Sequence, residues 1–251
     1  MLKGPFAVWR RNAKVWTKLM RVSMVIQFGE PLIYLLGLGY GLGQFVPAMD
    51  GLPYLTFLAS GLVMSSVMNT ATFEGMYSCY TRMDPQKTHQ AMLATPLRVR
   101  DVVIGEQLWA ATKGCIPCIA LLLVAFGLGA VSAATALLVP FVGLLAGLAF
   151  AGFCMPIVPF ARSYDYFSYF YTLVIIPMFM FSGVFYPLES LPEFVSVLAQ
   201  LLPLSHAVAL ARPLVIGEWP TDVLIHMSVL MAYAIAGGWL SIRLFKRRLM
   251  D

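Results

Sequence analysis

Six apolar stretches, each long enough to cross a bilayer as a helix, constrain the fold of this chain more than any other feature. About 20 apolar residues cross the hydrocarbon core as an α-helix, and a helix satisfies its backbone hydrogen bonds without water. Hydrophobic residues make up 60% of the 251 positions and charged residues 12%. The stretches cover residues 22–45, 53–77, 102–128, 133–159, 166–186 and 222–243. The sequence therefore predicts an all-α integral membrane protein with six spans in one domain, residues 1–251.

The basic residues predict how these spans are oriented. Fifteen of the 17 Lys and Arg precede the first span, follow the last, or lie between spans two and three or four and five. Only Arg212 lies on the opposite side, and Lys113 lies inside a span. Because basic residues favour the cytoplasmic side, we expect both termini in the cytoplasm of a bacterial cytoplasmic (inner) membrane. No cleavable signal peptide is predicted, because no small-residue cleavage site follows the first apolar run.

Residues 1–21 have the pattern of an amphipathic helix in the headgroup layer. Apolar residues recur every three or four positions between cations. They are Phe6, Trp9, Ala13, Trp16 and Met20. An ordinary basic tail beside the membrane is the alternative.

Two connections are too long to be simple turns. Residues 78–101 are polar, and Asp84-Pro85 and Pro96 bracket a short, partly apolar helix that projects into the cytoplasm. A solvated connector is the alternative. Residues 187–221 form an apolar external segment that prolines interrupt, with helices expected over 191–202, begun by a capping box of Ser190 and Glu193, and over 205–211. Neither helix can span, so we expect a re-entrant hairpin.

Catalytic and metal-binding motifs are missing from the sequence. It contains no GxxxxGKS or GxxxxGKT loop for ATP, no HExxH and no GxSxG. His89, His206 and His226 lack metal-ligand spacing, and Cys115 and Cys118 lie inside an apolar run. We therefore predict no enzyme, no metal site and no cofactor in this chain.

Charges inside the spans are candidates for a substrate path or for structural pairing, because a buried charge requires a partner or water. They are Glu30, Glu74, Glu106 and Lys113. We expect Lys113 to pair across helices, with Glu30 or Glu74. Both roles remain open at this point.

Aromatic residues concentrate at the two ends of the fifth span. Candidates for the substrate path are Tyr166, Tyr169, Phe170, Phe181, Phe185 and Tyr186. Interfacial aromatic belts predict this distribution. The alternative is a surface that stacks on sugar or acyl chain.

Several segments resemble the ABC-2 type permeases. Thr72-Phe73-Glu74-Gly75 and Ala91-Met92-Leu93-Ala94-Thr95-Pro96-Leu97 resemble the second span and coupling-helix region of that family. Ser182-Gly183-Val184-Phe185-Tyr186-Pro187-Leu188 resembles its fifth-span exit. Gly105-Glu106-Gln107-Leu108-Trp109 is most similar to the nodulation-type branch, NodJ, whose members export lipo-oligosaccharide. The likeness covers essentially the whole chain.

The resemblance implies an ABC-2, or type V exporter, architecture in which two copies enclose a path. Two separate ABC ATPase subunits, holding ATP and Mg, would dock beneath them. The resemblance also implies that the helix near Lys87–Leu97 is the coupling helix. The implied ATPase-coupling residues are Arg82, Lys87, Thr88, His89, Ala91, Met92, Leu93, Thr95, Pro96 and Leu97.

The expected function is outward export of a lipid-linked saccharide, glycolipid or other amphipathic substrate by the permease of an ATP-driven exporter. Lipid bilayer is an expected partner and nucleic acid is not. The alternatives are an ion-coupled secondary carrier, for which no inverted repeat is evident, a multidrug efflux permease, and a membrane-embedded enzyme.

Overall fold

The computed structural model describes residues 3–46, 48–131 and 133–250, without the side chains of Leu19, residues 21–28, Glu30 and Pro31. The helices are α1 Lys3–Gly41, α2 Tyr54–Phe73, α3 Cys79–Met83, α4 Thr88–Leu93, α5 Val99–Gly127, α6 Val139–Cys154, α7 Asp165–Phe170, α8 Ile176–Phe181, α9 Glu193–Ala199, α10 Pro203–Ile216 and α11 Val223–Met250. Short 3-10 segments cover Leu42–Gln44, Ala134–Leu138, Met155–Phe160 and Leu188–Ser190, and π-helical segments cover Glu74–Ser78 and Tyr171–Ile175. The prediction of an all-α membrane protein is confirmed.

Four helices in the described part of the chain are long and apolar enough to cross a membrane. They are Tyr54–Met83, which joins α2 to α3 through the first π-helical segment, Val99–Gly127, Ala134–Phe160 and Val223–Met250. They coincide with the predicted spans two, three, four and six. Two shorter apolar helices, Leu32–Gln44 and Asp165–Phe181, lie within the predicted spans one and five. The total of six spans stays a prediction.

The first helix runs without a break from Lys3 to Gly41, over 39 residues. The predicted boundary between an amphipathic helix and the first span, at residues 21 and 22, is therefore not a break in the helix. Its buried face near the start is formed by Val8 and Asn12, whereas Phe6 is 57% exposed. This face packs on α5 at Gly105, where a Cβ atom would lie 2.7 Å from the carbonyl oxygen of Pro5. The opposite face, with Phe6, stays exposed, and its predicted place in the headgroup layer remains a prediction.

A two-residue turn connects α1 to α2. β1 (Ala48–Met49) and β2 (Leu52–Pro53) form an antiparallel pair around Asp50 and Gly51. Both turn residues have positive φ, +50° and +73°, as a type I′ hairpin requires. The tight turn that the sequence predicts here is confirmed for Asp50 and Gly51, whereas Pro47 lies outside the described residues.

Glycines on α6 let this helix approach α5 closely, beside α2, the most buried of the four candidate spans. A Cβ atom on Gly147 would lie 2.8 Å from the Cα of Ala111 on α5, and one on Gly143 would lie 3.3 Å from Cys118 Sγ. The GxxxG step formed by Gly143 and Gly147 therefore acts as such steps do in membranes, by removing side chains from a helix contact.

The external segment is a bent helix pair. α9 and α10 meet at an angle of 84°, which suits a re-entrant hairpin or a broken span. The predicted capping box was wrong, because the Ser190 hydroxyl donates to the carbonyl of Pro187, 2.7 Å away, and α9 begins at Glu193 without a side-chain cap. α10 extends to Ile216, beyond the predicted end, and stops at Gly217 with φ +96°.

The helix of the predicted fifth span also ends earlier than its apolar run. It stops at Phe181, and Gly183 has φ +76°. The chain turns there, so Phe185 and Tyr186 lie beyond the helix.

We expect Gly147→Ala to destabilise the protein by about 1–3 kcal/mol, because the added Cβ meets backbone that cannot move aside easily. Gly37→Ala is the control, since a Cβ atom there would meet nothing within 4 Å. Alanine at Gly37 should be neutral or stabilising by about 0.5–1 kcal/mol. Thermal unfolding in detergent measures both variants, and equal midpoints would contradict the close helix contact.

Candidate functional site

A buried cluster of charges joins α2, α3, α4 and α5. At its centre, the guanidinium of Arg82 contacts two carboxylates. Nη1 lies 2.8 Å from Glu74 Oε1, Nη2 lies 2.5 Å from Glu106 Oε2, and Nε donates to Glu106 Oε1 at 3.0 Å. The Arg82 side chain is 12% exposed and the two glutamates are 3% and 2% exposed. The bidentate contact with Glu106 is the geometry in which arginine binds a carboxylate most strongly.

A second cation completes the cluster. Lys113 Nζ lies 2.6 Å from Glu74 Oε2, and Trp109 Nε1 donates to Glu74 Oε1 at 2.9 Å. The two glutamates therefore face Arg82 and Lys113, and the four charges balance. Balanced charges and satisfied donors are the conditions under which ions tolerate burial. The predicted pairing of Lys113 with Glu74 is confirmed, and the side chain of the other suggested partner, Glu30, lies outside the described residues.

His89 connects the short helix α4 to this cluster. Its Nε2 atom lies 3.1 Å from Glu106 Oε1, and the side chain is fully buried. The ring centroid of Phe245, on α11, lies 6.1 Å from that of His89. His89 therefore forms a direct contact between α4 and Glu106 on α5. We call Glu74, Arg82, His89, Glu106 and Lys113 the ion cluster.

Local helix geometry explains why these residues meet. Glu106, Trp109 and Lys113 are spaced by three and four positions, so they share one face of α5. Glu74 opens the π-helical segment Glu74–Ser78. A π-helical turn contains an extra residue, which rotates everything that follows it. This segment therefore sets the direction in which Arg82 leaves the helix.

The remaining predicted coupling residues lie on or beside the surface of α4. Lys87, Ala91, Thr95 and Pro96 are exposed, and Gln90 and Ala94, which sequence reasoning omitted, are exposed with them. Thr88, Met92, Leu93 and Leu97 are half-buried. Arg82 and His89 point inward, so they are suited to transmit a movement and not to form the outer contact.

Three members of this region have the donor atoms of a metal site. Cys79 Sγ, a nitrogen of His89 and a carboxylate oxygen of Glu106 all lie within 4.8 Å of one another. Zinc accepts such donors, and histidine spacing in the sequence gave no sign of the grouping. However, both oxygens of Glu106 already accept hydrogen bonds from Arg82. The guanidinium occupies the place of a metal cation, so this donor set does not fit one.

The structure does not gather the aromatic candidates into one site. Tyr166, Tyr169 and Phe181 are 47%, 68% and 41% exposed, while Phe170, Phe185 and Tyr186 are half-buried. Phe185 stands beyond the helix end, with its ring centroid 4.8 Å from that of Phe179. The exposed rings can contact lipid, substrate or a second protein.

The structure also joins two histidines that are distant in sequence. The Nδ1 atoms of His206, on α10, and His226, on α11, lie 2.7 Å apart. Nε2 of His206 is 2.7 Å from the Gln200 carbonyl oxygen. Their separation of 20 positions across a hairpin gives no periodic signal, so sequence reasoning missed the contact.

Long apolar helices surround an ion cluster whose charges balance, and His89 connects this cluster to a short surface helix. This combination suits the membrane subunit of a transporter. The chain belongs to the ABC-2 type transporter family, whose family model matches residues 6–216. It is therefore the transport permease of an ABC exporter, a multi-pass bacterial membrane protein whose family works with a separate ABC ATPase subunit.

Full-length similarity to known permeases agrees with this assignment. "Nodulation protein J" of Rhizobium leguminosarum bv. trifolii is 43% identical over 97% of this chain and 93% of that protein. "Nodulation protein J" of Rhizobium meliloti (strain 1021) is 40% identical over the same shares. The "Inner membrane transport permease YadH" of Escherichia coli (strain K12) is 23% identical over 92% of this chain and 90% of that protein.

We expect Glu106→Ala to destabilise the protein by about 3–5 kcal/mol, because Arg82 and His89 lose a shared acceptor while they remain buried. Glu106→Gln should cost less, since one acceptor oxygen remains. Glu218 is exposed, so Glu218→Ala is the control and should change stability by less than about 0.5 kcal/mol. Unfolding in mixed micelles measures all three variants, and equal stability of the two alanine variants would contradict the cluster.

Proposed function

We propose that this permease exports a lipid-linked saccharide, glycolipid or other amphipathic molecule outward across the cytoplasmic membrane. Two copies would enclose the path, with both termini in the cytoplasm and two ATPase subunits, which hold ATP and Mg, beneath them. The resemblance to the nodulation-type branch implies the substrate class, and the "Nodulation protein J" relatives support that resemblance. The concentration of basic residues on one predicted side supports the orientation.

The connection of α4 to the ion cluster is the observation that carries this proposal. An ATPase-docking helix must receive a movement outside the membrane and pass it to the spans. α4 presents Lys87, Gln90, Ala91 and Ala94 outward, and its inward residue His89 bonds Glu106 on α5. One short helix thus combines a free surface with a bonded connection to a candidate span.

The ion cluster would act as the link between ATPase closure and the spans. When the ATPase subunits close, α4 moves, and His89 carries Glu106 with it. Arg82 and Glu74 then carry the end of the second candidate span along. Separating a buried ion pair costs about 3–5 kcal/mol, so a movement that keeps the cluster intact is favoured over one that breaks it.

In this proposal the charged residues and the aromatic residues have different roles. Glu74 and Lys113 pair with each other, Glu106 pairs with Arg82, and all three are buried, so we assign them to coupling and not to the path. Tyr166, Tyr169 and Phe181 expose ring faces, which bind both sugars and acyl chains without fixed hydrogen-bond geometry. These residues are the better candidates for contact with the substrate.

A multidrug efflux permease is the second candidate, because exposed aromatic rings would also accept hydrophobic drugs. An ion-coupled carrier is less consistent with carboxylates already neutralised by Arg82 and Lys113. Stimulation of ATP hydrolysis in lipid discriminates the first two functions. A neutral oligosaccharide with one acyl chain should stimulate the reconstituted complex, and ethidium should not. The reverse result would favour drug efflux.

We expect Ala91→Trp to reduce binding of the ATPase subunit at least tenfold, because Ala91 is exposed on the outward face of α4. The permease itself should keep its stability within about 0.5 kcal/mol, as for most surface substitutions. Thr221→Trp adds the same bulk at another exposed position, in the link before α11. Co-purification of the ATPase subunit measures binding, and an equal loss in both variants would argue against docking on α4.

We expect His89→Ala to separate ATP hydrolysis from export, because His89 is buried and contributes nothing to the outer surface of α4. The ATPase subunit should still bind and hydrolyse ATP, while uptake of a glycolipid with a fluorescent acyl chain into inverted vesicles falls at least tenfold. His89→Gln keeps an N–H donor and should restore part of the uptake. An unchanged ratio of glycolipid moved to ATP hydrolysed in His89→Ala would refute the proposed link.

A further inference from the structure

Arg212, on α10, is a half-buried cation whose contacts are with neutral groups. Its Nε donates to the Ser60 hydroxyl at 3.0 Å, and Nη2 donates to the Gly183 carbonyl oxygen at 2.6 Å. The guanidinium carbon lies 3.7 Å from the centre of the Phe57 ring. Among the described side chains, no carboxylate forms an ion pair with it. Arginine at this depth therefore relies on hydrogen bonds and a cation–π contact.

These contacts join three separate elements. Phe57 and Ser60 belong to α2, Gly183 belongs to the corner that follows α8, and Arg212 belongs to the bent helix pair α9–α10. The corner, formed by Gly183 and Val184, packs closely on α2, because a Cβ atom on Gly61 would lie 2.8 Å from the Cα of Val184. Arg212 thus adds polar contacts that bind α10 to α2 and to the corner, beside the apolar packing of buried α10 residues such as Leu204 and Val208.

The strength of this junction differs from that of the ion cluster. Ser60 precedes Glu74 by 14 positions in one continuous helix, so the two junctions lie about 21 Å apart along its axis. Hydrogen bonds from a cation to neutral acceptors, and a cation–π contact, can open without leaving an opposite charge unpaired in the interior. The ion cluster instead loses two charge pairs if it opens. The Arg212 junction is therefore the one that separates first when the spans are strained.

Asp50, in the turn before α2, and Glu189, in the segment before α9, act on Arg212 electrostatically. Neither is bonded to it in this structure. The guanidinium is therefore held by neutral groups.

We propose that Arg212 is a positioning residue that holds the α9–α10 hairpin closed on α2, and that ATP-driven movement releases it to let substrate leave. This inference rests on the proposed export function. The contacts of Arg212 with α2 and the corner would open during transport, and the contacts within the ion cluster would stay closed.

Hydrogen–deuterium exchange on the full permease–ATPase complex in nanodiscs tests this inference. Peptides covering 182–186 and 203–216 are followed without nucleotide, and with ATP bound to a hydrolysis-deficient ATPase subunit. Wild-type protein should exchange faster at both peptides only in the ATP state. Arg212→Ala should exchange about tenfold faster without nucleotide, as expected for the loss of about 1.4 kcal/mol of docking contacts.

Conservative variants separate positioning from folding. Ser60→Ala removes one of the three contacts and should accelerate exchange by a smaller factor. Arg212→Lys keeps the charge but cannot hold both acceptors and the ring, so it should not restore protection. Arg243→Ala is the matched control, because Arg243 lies 3.7 Å from the Trp239 ring within one helix, α11. It should leave hairpin exchange unchanged.

Two results would overturn the inference: unchanged hairpin exchange in folded Arg212→Ala protein, or hairpin exchange that ATP does not alter in wild-type protein. Transport of the fluorescent glycolipid is measured on the same samples. If the hairpin responds as expected but no glycolipid moves, the substrate proposal fails and the role of Arg212 stands. If glycolipid moves while the hairpin does not respond, the role of Arg212 fails alone.

Discussion

The contact between Arg82 and two glutamates determines how α4 and the neighbouring parts of α3 and α5 are held together. A charge in a low-dielectric interior is stable only with a partner and with its hydrogen bonds satisfied. Arg82 meets both conditions by joining Glu74 and Glu106. Lys113 contacts the remaining oxygen, Glu74 Oε2, and His89 shares Glu106 Oε1 with Arg82. Each side chain of the ion cluster can stay buried only because the other members pair with it. Four helices are therefore fixed to one another by electrostatics, in addition to apolar packing that lipid would supply equally well.

This arrangement restricts which parts of the molecule can move independently. Close contacts at glycines, such as Gly147 on Ala111 and Gly105 on α1, add steric fit to the same assembly. Protein interiors packed in this way shift between discrete arrangements and do not deform continuously. In the proposed mechanism, a movement received at α4 would therefore pass along the long helices. It would be absorbed where the contacts are weaker.

Sequence reasoning predicted the fold class well because lipid allows few backbone structures. It also predicted that Lys113 pairs with Glu30 or Glu74, since an intramembrane cation needs an anion and few were available. The resemblance placed Arg82 and His89 among the ATPase-coupling residues, because Arg82 lies just before the predicted coupling helix and His89 lies within it. The π-helical turn at Glu74–Ser78 turns Arg82 inward, and hydropathy contains no signal for such a turn. The His206–His226 contact was missed for a related reason, since it depends on how α10 packs against α11.

The segments that could absorb the movement share one feature, a local departure from regular helix. The fifth apolar helix contains its own π-helical segment, Tyr171–Ile175, and ends before Gly183 with positive φ. α9 and α10 meet at their sharp bend, beside the Arg212 junction. Irregular backbone is tolerated at membrane depth only where protein or a water-filled cavity surrounds it. These segments also carry exposed aromatic rings, including Tyr169 and Phe194. A substrate path beside them would therefore pass the part of the permease where the helices are interrupted. In the proposed mechanism the movement would enter at the ion cluster, where charge pairs hold the helices together.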